Sequence, residues 1–167
     1  MELINYSPEY KEDVKDLLVE LQEYIVSIDK EGYNIIGDNF REESFKGSIK
    51  EIEDNNGIIF LACYECKIVG MIIGIIIEPE DNYSFRAPKG GKIIELIVTK
   101  KCRTNGVGQK LLEKMEKHFK DVGCKRVIIE VFEYNDIAKN FYNKNKYFDR
   151  CKDIMKKIWK NQNVMLI

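Results

Sequence analysis

The chain has 167 residues, 44% of them hydrophobic and 33% charged, with a formal net charge of -1. This is the mixture of a globular protein rather than a disordered one, and its length suits one domain over residues 1–167 with a core of its own. The near-neutral balance supplies no global basic field, so nucleic acid is not an expected partner, and Lys156, Lys157 and Lys160 read as solvated surface. Residues 2–6 read as a short strand. Pro8 stands where a helix can begin, and Val14, Leu17, Leu18, Leu21, Ile25 and Ile28 recur at helical spacing, which predicts an amphipathic helix over 8–29. Gly32 and Gly37 interrupt the next stretch, and a second helix is predicted over 41–54.

Residues 57–64 and 67–78 read as two strands joined at Glu65-Cys66, a hairpin. The apolar run 68–77 is too short to cross a bilayer as a helix, and its isoleucines suit a buried strand. A loop with Pro79, Pro88, Gly90 and Gly91 leads to a strand over 92–99. Gly106 and Gly108 open a helix with the apolar face Val107, Leu111, Leu112, Met115, Phe119 and Val122, and Gly123 fits the C′ position beyond it. A strand over 125–132, a helix capped by Asn135 and running to about residue 145, and a last strand over 147–158 complete the order. Residues 159–167 read as a further strand or a loose tail. The hairpin must be antiparallel, whereas strand–helix–strand over 92–132 favours parallel pairing. The fold class is α/β (α+β), a mixed sheet with helices on both faces.

Five cysteines, Cys63, Cys66, Cys102, Cys124 and Cys151, are an odd number that favours reduced thiols and a cytoplasmic setting. No small-residue cleavage site follows an apolar run near Met1, so no secretory leader is expected, and no membrane association either. Cys63 and Cys66 have the spacing of a metal or redox pair, but no second pair exists and His118 is the lone histidine. They read as one strand cysteine and one turn cysteine, and no metal is expected.

The segment from Val98 to Leu112, VTKKCRTNGVGQKLL, ends a strand, crosses a basic glycine-containing loop and begins a helix. Such a junction gathers main-chain N–H groups and the positive end of a helix dipole at one point, which suits a pyrophosphate. Gly106 and Gly108 would let the backbone approach the phosphates, and Arg103 adds a charge-assisted donor. The dinucleotide fingerprint is incomplete, since Leu111 stands three residues after Gly108, and the P-loop spacing is absent. A tight turn with incidental glycines is the bland alternative.

Arg103-Thr104-Asn105-Gly106-Val107-Gly108 resembles the R-x-x-G-x-G/A motif of the GCN5-related N-acetyltransferase (GNAT) superfamily. The strand before it, Glu95-Leu96-Ile97-Val98, ends five residues before the arginine, as in that family. Downstream, Asn135, Ala138, Phe141 and Tyr142 are similar to the family's N-x-x-A-x-x-[LF]-Y segment, followed by Lys144 and Tyr147-Phe148. The likeness covers about residues 57–158 well and the first helices loosely. One departure is Lys146, where the family usually has glycine.

The resemblance implies a mostly antiparallel sheet of six or seven strands and direct transfer of an acetyl group from acetyl-CoA to a primary amine. It implies that Ile97, Val98, Arg103, Thr104, Asn105, Gly106, Val107, Gly108, Gln109, Asn135 and Tyr142 bind the cofactor. Backbone groups of Ile97 and Val98 would pair with the pantetheine amides, and the N–H of Val98 would face the oxyanion. Tyr142 resembles the family's leaving-group acid; its phenol, with a reference pKa of about 10, suits protonation of a thiolate. Its bland role is packing beside Phe141. Glu95 and Glu130 are the candidate bases, since a carboxylate in an apolar strand is costly to bury without purpose. Otherwise each faces solvent or a lysine, and water relays the proton.

The acceptor is expected near residues 24–40 and 79–91, where Tyr24, Asp29, Tyr33, Asp38, Glu78, Glu80 and Asp81 would suit a cationic small molecule, a lysine or an N-terminal amine. The resemblance also admits a homodimer. A non-catalytic acyl-CoA-binding module of the same fold is the alternative function.

Overall fold

The computed structural model describes residues 1–156. The elements in chain order are β1 (Glu2–Asn5), α1 (Lys11–Ile28), α2 (Phe40–Asp54), β2 (Ile58–Tyr64), β3 (Lys67–Ile77), β4 (Glu80–Asp81), β5 (Arg86–Ala87), β6 (Gly90–Val98), α3 (Val107–Asp121), β7 (Arg126–Ile129) and α4 (Asp136–Lys144). Single 3₁₀ turns precede α1, at Pro8–Tyr10, and follow β6, at Lys100–Cys102. The chain divides into two compact units, Met1–Asn135 and the part from Asp136 onward.

The first unit holds a five-stranded sheet in the order β1-β2-β3-β6-β7, antiparallel throughout except for the parallel pair β6-β7. The mixed, mostly antiparallel sheet expected from the sequence is therefore present, with five strands among the described residues where six or seven were expected. The short β4 and β5 form a separate ribbon inside the loop 79–91, where no strand was expected. The Asp81–Arg86 ion pair spans that ribbon. The predicted strand over 125–132 is shortened to four residues. The strand predicted over 147–158 is absent from 147–156, and the rest of it, with residues 159–167, lies outside the described residues.

The β2-β3 hairpin turns at Glu65 and Cys66, which have φ of 49° and 60°. Two central residues with positive φ are the geometry that joins right-twisted strands tightly. Cys66 is thus a turn cysteine and Cys63 a strand cysteine, as their bland reading had it.

Two cores flank the sheet. Val14, Leu17 and Leu18 of α1 and Phe45 of α2 pack on Ile59, Leu61, Met71, Ile73 and Ile97. Lys15, itself buried, ties α1 to α2 through Glu42 at 2.6 Å and pairs with Glu12 of its own helix at 2.9 Å. On the opposite face α3 buries Leu111, Leu112, Met115 and Phe119. Glycines in the sheet make room for it: a Cβ on Gly91 would lie 2.4 Å from the Phe119 ring, and one on Gly74 2.6 Å from Met115 and Phe119. Full burial of each such side chain contributes about 1.5–3 kcal/mol.

The second unit is described over 136–156 and contains α4. Lys146 ends that helix with φ 66°. Its N–H bonds the Asn143 carbonyl, and the Tyr147 N–H reaches back to Tyr142, both at 3.0 Å. This is a Schellman ending with lysine in the left-handed position that glycine occupies without strain. The departure from the motif thus leaves the helix ending unchanged in form. The ordinary version closes α3, where Gly123 has φ 88°.

Candidate active site

The strand β6 is paired differently along its length. Residues 90–93 have β3 on one edge and β7 on the other, with Ile93 opposite Ile129 as the last β7 pair. Residues 95–98 keep β3 alone. Between the two stretches the β3 register slips: Gly74 faces Ile93, Ile73 faces Glu95, and Ile94 is the extra residue. Such a bulge reverses the side-chain alternation beyond it. Without it Glu95 would share the α3 face with Gly91 and Ile93. With it Glu95 shares the face of Ile73 and Ile97, beneath α1 and α2.

The main-chain groups follow from the same pairing. The Thr99 N–H donates to the Val69 carbonyl of β3 at 2.9 Å. Alternation along an extended strand then turns the N–H and C=O of Ile97 toward β3 and those of Leu96 and Val98 away from it. The Val98 carbonyl accepts from Arg103 Nε at 2.9 Å. The Val98 N–H and both main-chain groups of Leu96 are left on an edge that no strand among the described residues covers. The expectation that Ile97 offers its amide to a ligand therefore moves to Leu96, a residue that the motif comparison passed over. Counting alternate residues back from the strand end was the signal that could have found it.

Beyond β6 the chain turns through Thr104 and Gly106, with φ of 69° and 73°, into α3. No side chain caps this helix. The N–H groups of residues 105–109 have no hydrogen-bond partner among the described residues. The side chain of Gln109 is turned along α3 to Glu113 at 2.9 Å. Five main-chain donors at a helix N-terminus are the chemistry that a diphosphate requires, and the uncovered edge of β6 offers what a chain of amides requires. The residues present fit coenzyme A on both counts.

Arg103 bends back from the loop. Its guanidinium lies 5.4 Å from the centre of the Tyr24 ring and 3.7 Å from Glu20 Oε1. Glu20 also accepts the Lys100 N–H at 2.8 Å. The Tyr24 hydroxyl donates to Asn135 Oδ1 at 3.3 Å, and the Asn135 N–H bonds the Phe132 carbonyl at 2.8 Å. Arg103 and Asn135, named from separate motifs, thus meet on one tyrosine of α1. Glu20 and Tyr24 stand four residues apart, one turn of the same helix.

The two candidate bases differ sharply. Glu95 is partly buried and has no hydrogen bond or ion pair among the described residues. Burial, with the charge of Glu51 adding to it, pushes its carboxyl up to about 7. Glu130 is 83% exposed and paired to Lys92 at 2.9 Å. Tyr142 is the buried residue of α4, its ring 5.1 Å from Phe141 and 5.3 Å from Tyr147 between centroids.

Several acidic residues considered for acceptor binding have local duties. Asp29 accepts from the N–H groups of Asn34, Tyr33 and Glu31 and from the Asn34 side chain, which hold its carboxyl down at about 2. Asp81 pairs with Arg86, and Glu80 accepts from Asn82. Among the described residues no group of three or more His, Cys, Asp or Glu is arranged to hold a metal ion, and no helix is long and apolar enough to cross a membrane.

Residues 18–147 match the model of the acetyltransferase (GNAT) family. An uncharacterized N-acetyltransferase of Methanocaldococcus jannaschii is 33% identical over 88 residues, 52% of this chain and 53% of that protein. The match thus spans about half the length of that relative. Among solved structures, a mutant of a Bacillus halodurans protein superposes with a TM-score of 0.84 at 18% identity, over 95% of this chain and all of that one. The aminoglycoside N-acetyltransferase AAC(6')-Iy in complex with CoA superposes at 0.64 and 12% identity, over 96% of this chain and all of that one. At these identities the structural likeness concerns the fold.

Proposed function

The chain belongs to the acetyltransferase (GNAT) family, and from that premise we propose that it moves an acetyl group from acetyl-CoA directly onto a primary amine. The observation that carries this reading is the one-sided pairing of residues 95–98 running into the unpartnered amides of 105–109. The amides of 105–109 and Arg103 would hold the diphosphate, with Thr104 in the same loop. The free groups of Leu96 and Val98 would pair with the pantetheine arm, and Asn135 would contact it further along. Acetyl-CoA supplies an activated acyl group; the remaining chemistry falls to the protein.

An ammonium cannot attack a thioester, so a proton must first leave it. Glu95 is the better placed of the two glutamates for this work, because a carboxyl at about 7 accepts a proton and releases it near neutral pH. Glu130, exposed and paired with Lys92, has the ordinary surroundings of a surface carboxylate. The N–H of Val98 would donate to the oxyanion that forms when the amine adds to the carbonyl. Tyr142, assigned through its motif, would give its proton to the departing thiolate. Tyr142→Phe should lower kcat about 10-fold with the fold intact, within the usual reach of one acid–base group.

The acceptor is an amine of a small molecule or a protein. With Asp29, Glu80 and Asp81 occupied locally, the acidic character expected around it rests on Asp38 and Glu78. The test is release of free CoA thiol from acetyl-CoA across a panel of polyamines, aminoglycosides, lysine peptides and N-terminal amines. Turnover with one class above the amine-free rate supports the proposal. Tight CoA binding with no turnover on any class would support the non-catalytic acyl-CoA-binding module instead.

A further inference from the structure

Arg103 carries more contacts than a loop arginine needs to stay in place. Its Nε is held by the Val98 carbonyl, its guanidinium lies over the Tyr24 ring, and Glu20 stands 3.7 Å away. Tyr24 is only partly buried and takes no place in the core beneath α1, which is built from Val14, Leu17 and Leu18. Its hydroxyl is fixed by Asn135 Oδ1 at 3.3 Å. Packing therefore does not account for a tyrosine here, whereas two polar contacts to motif residues do.

We propose that Tyr24 is a positioning residue that holds Arg103 ready for the diphosphate of coenzyme A. The proposal rests on the cofactor reading of the loop. An arginine side chain free in solvent loses rotamer freedom when it grips an anion, and that loss weakens binding. Tyr24 removes much of this freedom beforehand. The ring supplies a cation–π platform, and the hydrogen bond to Asn135 fixes the tilt of that platform. Glu20 keeps the neighbouring Lys100 turn in register through the N–H of Lys100. Neither Tyr24 nor Glu20 needs to touch the cofactor.

The test is a double-mutant cycle read by calorimetry with CoA, supported by steady-state kinetics with acetyl-CoA. Tyr24→Leu should weaken CoA by about 3- to 10-fold, the scale of a partly desolvated cation–π contact, and raise KM for acetyl-CoA by the same factor with kcat unchanged. Tyr24→Phe keeps the ring and loses only the bond to Asn135, so it should weaken CoA by less than Tyr24→Leu does. In an Arg103→Ala background, Tyr24→Leu should have no further effect, because the side chain it positions is gone. Should Tyr24→Leu fail to fold, Tyr24→Gln takes its place in the cycle. Unchanged CoA affinity in Tyr24→Leu would overturn the proposal, and so would an equal loss with and without Arg103. Those results leave the loop assignment standing if Arg103→Ala itself weakens CoA. Wild-type protein that binds no CoA removes the loop assignment, and this proposal with it.

Discussion

The two halves of β6 share a strand but not a role. Residues 90–93 are hydrogen-bonded on both edges, and Gly91 and Ile93 face the α3 core. Residues 95–98 are bonded on one edge, contain the carboxyl pushed up to about 7, and run into a helix start with unpartnered amides. A one-residue bulge at Ile94 and the early end of β7 make the difference. The lesson is that withheld pairing leaves main-chain groups available in one half of a strand whose other half is fully bonded.

The largest effect that would break this contrast lies in the outer half. Glu95→Gln should lower kcat about 100-fold at pH 8, measured as CoA release. In the wild type the rate should rise with pH through about 7 and then level if Glu95 is the proposed base, because a base works in its deprotonated form. Stability should respond in the opposite sense. The folded carboxyl titrates near 7 against 4.5 for the ordinary group, so the folded state binds the extra proton between those values. Unfolding free energy should therefore fall as pH rises from about 4.5 to 7, by about 3 kcal/mol at most. Glu95→Gln should remove that fall, giving a higher Tm than wild type at pH 8 and little difference at pH 4.5. A pH-independent Tm difference would contradict the buried-carboxyl account.

A smaller effect is expected in the inner half, and of a different kind. Gly91→Val sets a side chain against the Phe119 ring and should cost about 2 kcal/mol in denaturant unfolding. The CoA affinity of the folded protein should stay within about 2-fold, because residues 90–93 offer no free groups. A selective loss of CoA binding would dissolve the distinction between the halves. The smallest effect belongs to Glu130→Gln. An exposed ion pair contributes little, so kcat should remain within about 2-fold of wild type. A loss rivalling that of Glu95→Gln would return Glu130 to the role of base.

Much of this was legible in the sequence, for identifiable reasons. The apolar periodicity of α1 and α3 and the isoleucine-rich β3 located the main elements, because burial dictates those patterns. The loop 103–108 stood out by its glycines and arginine, and Gly106 does take the positive φ of the turn into α3. The bulge at Ile94 was not legible, because an extra residue in an apolar run leaves no mark on composition. Hence the face that Glu95 takes could not be read, whereas the choice of Leu96 over Ile97 needed only the alternation counted back from the strand end. The shortness of β7 was hidden too, since residues 125–132 are strand-like throughout and pairing, not propensity, ends it. Tyr24 lies in the stretch expected on the acceptor side, and its contact with Arg103 joins residues too distant in sequence for periodicity to reveal.

Amide-resolved NMR of the labelled protein during a CoA titration tests the central claim most directly. The account predicts saturable shifts concentrated at the N–H groups of residues 105–109 and of Leu96 and Val98, with residues 90–93 unmoved. Saturable binding that leaves 105–109 undisturbed, or no binding at all, would contradict it.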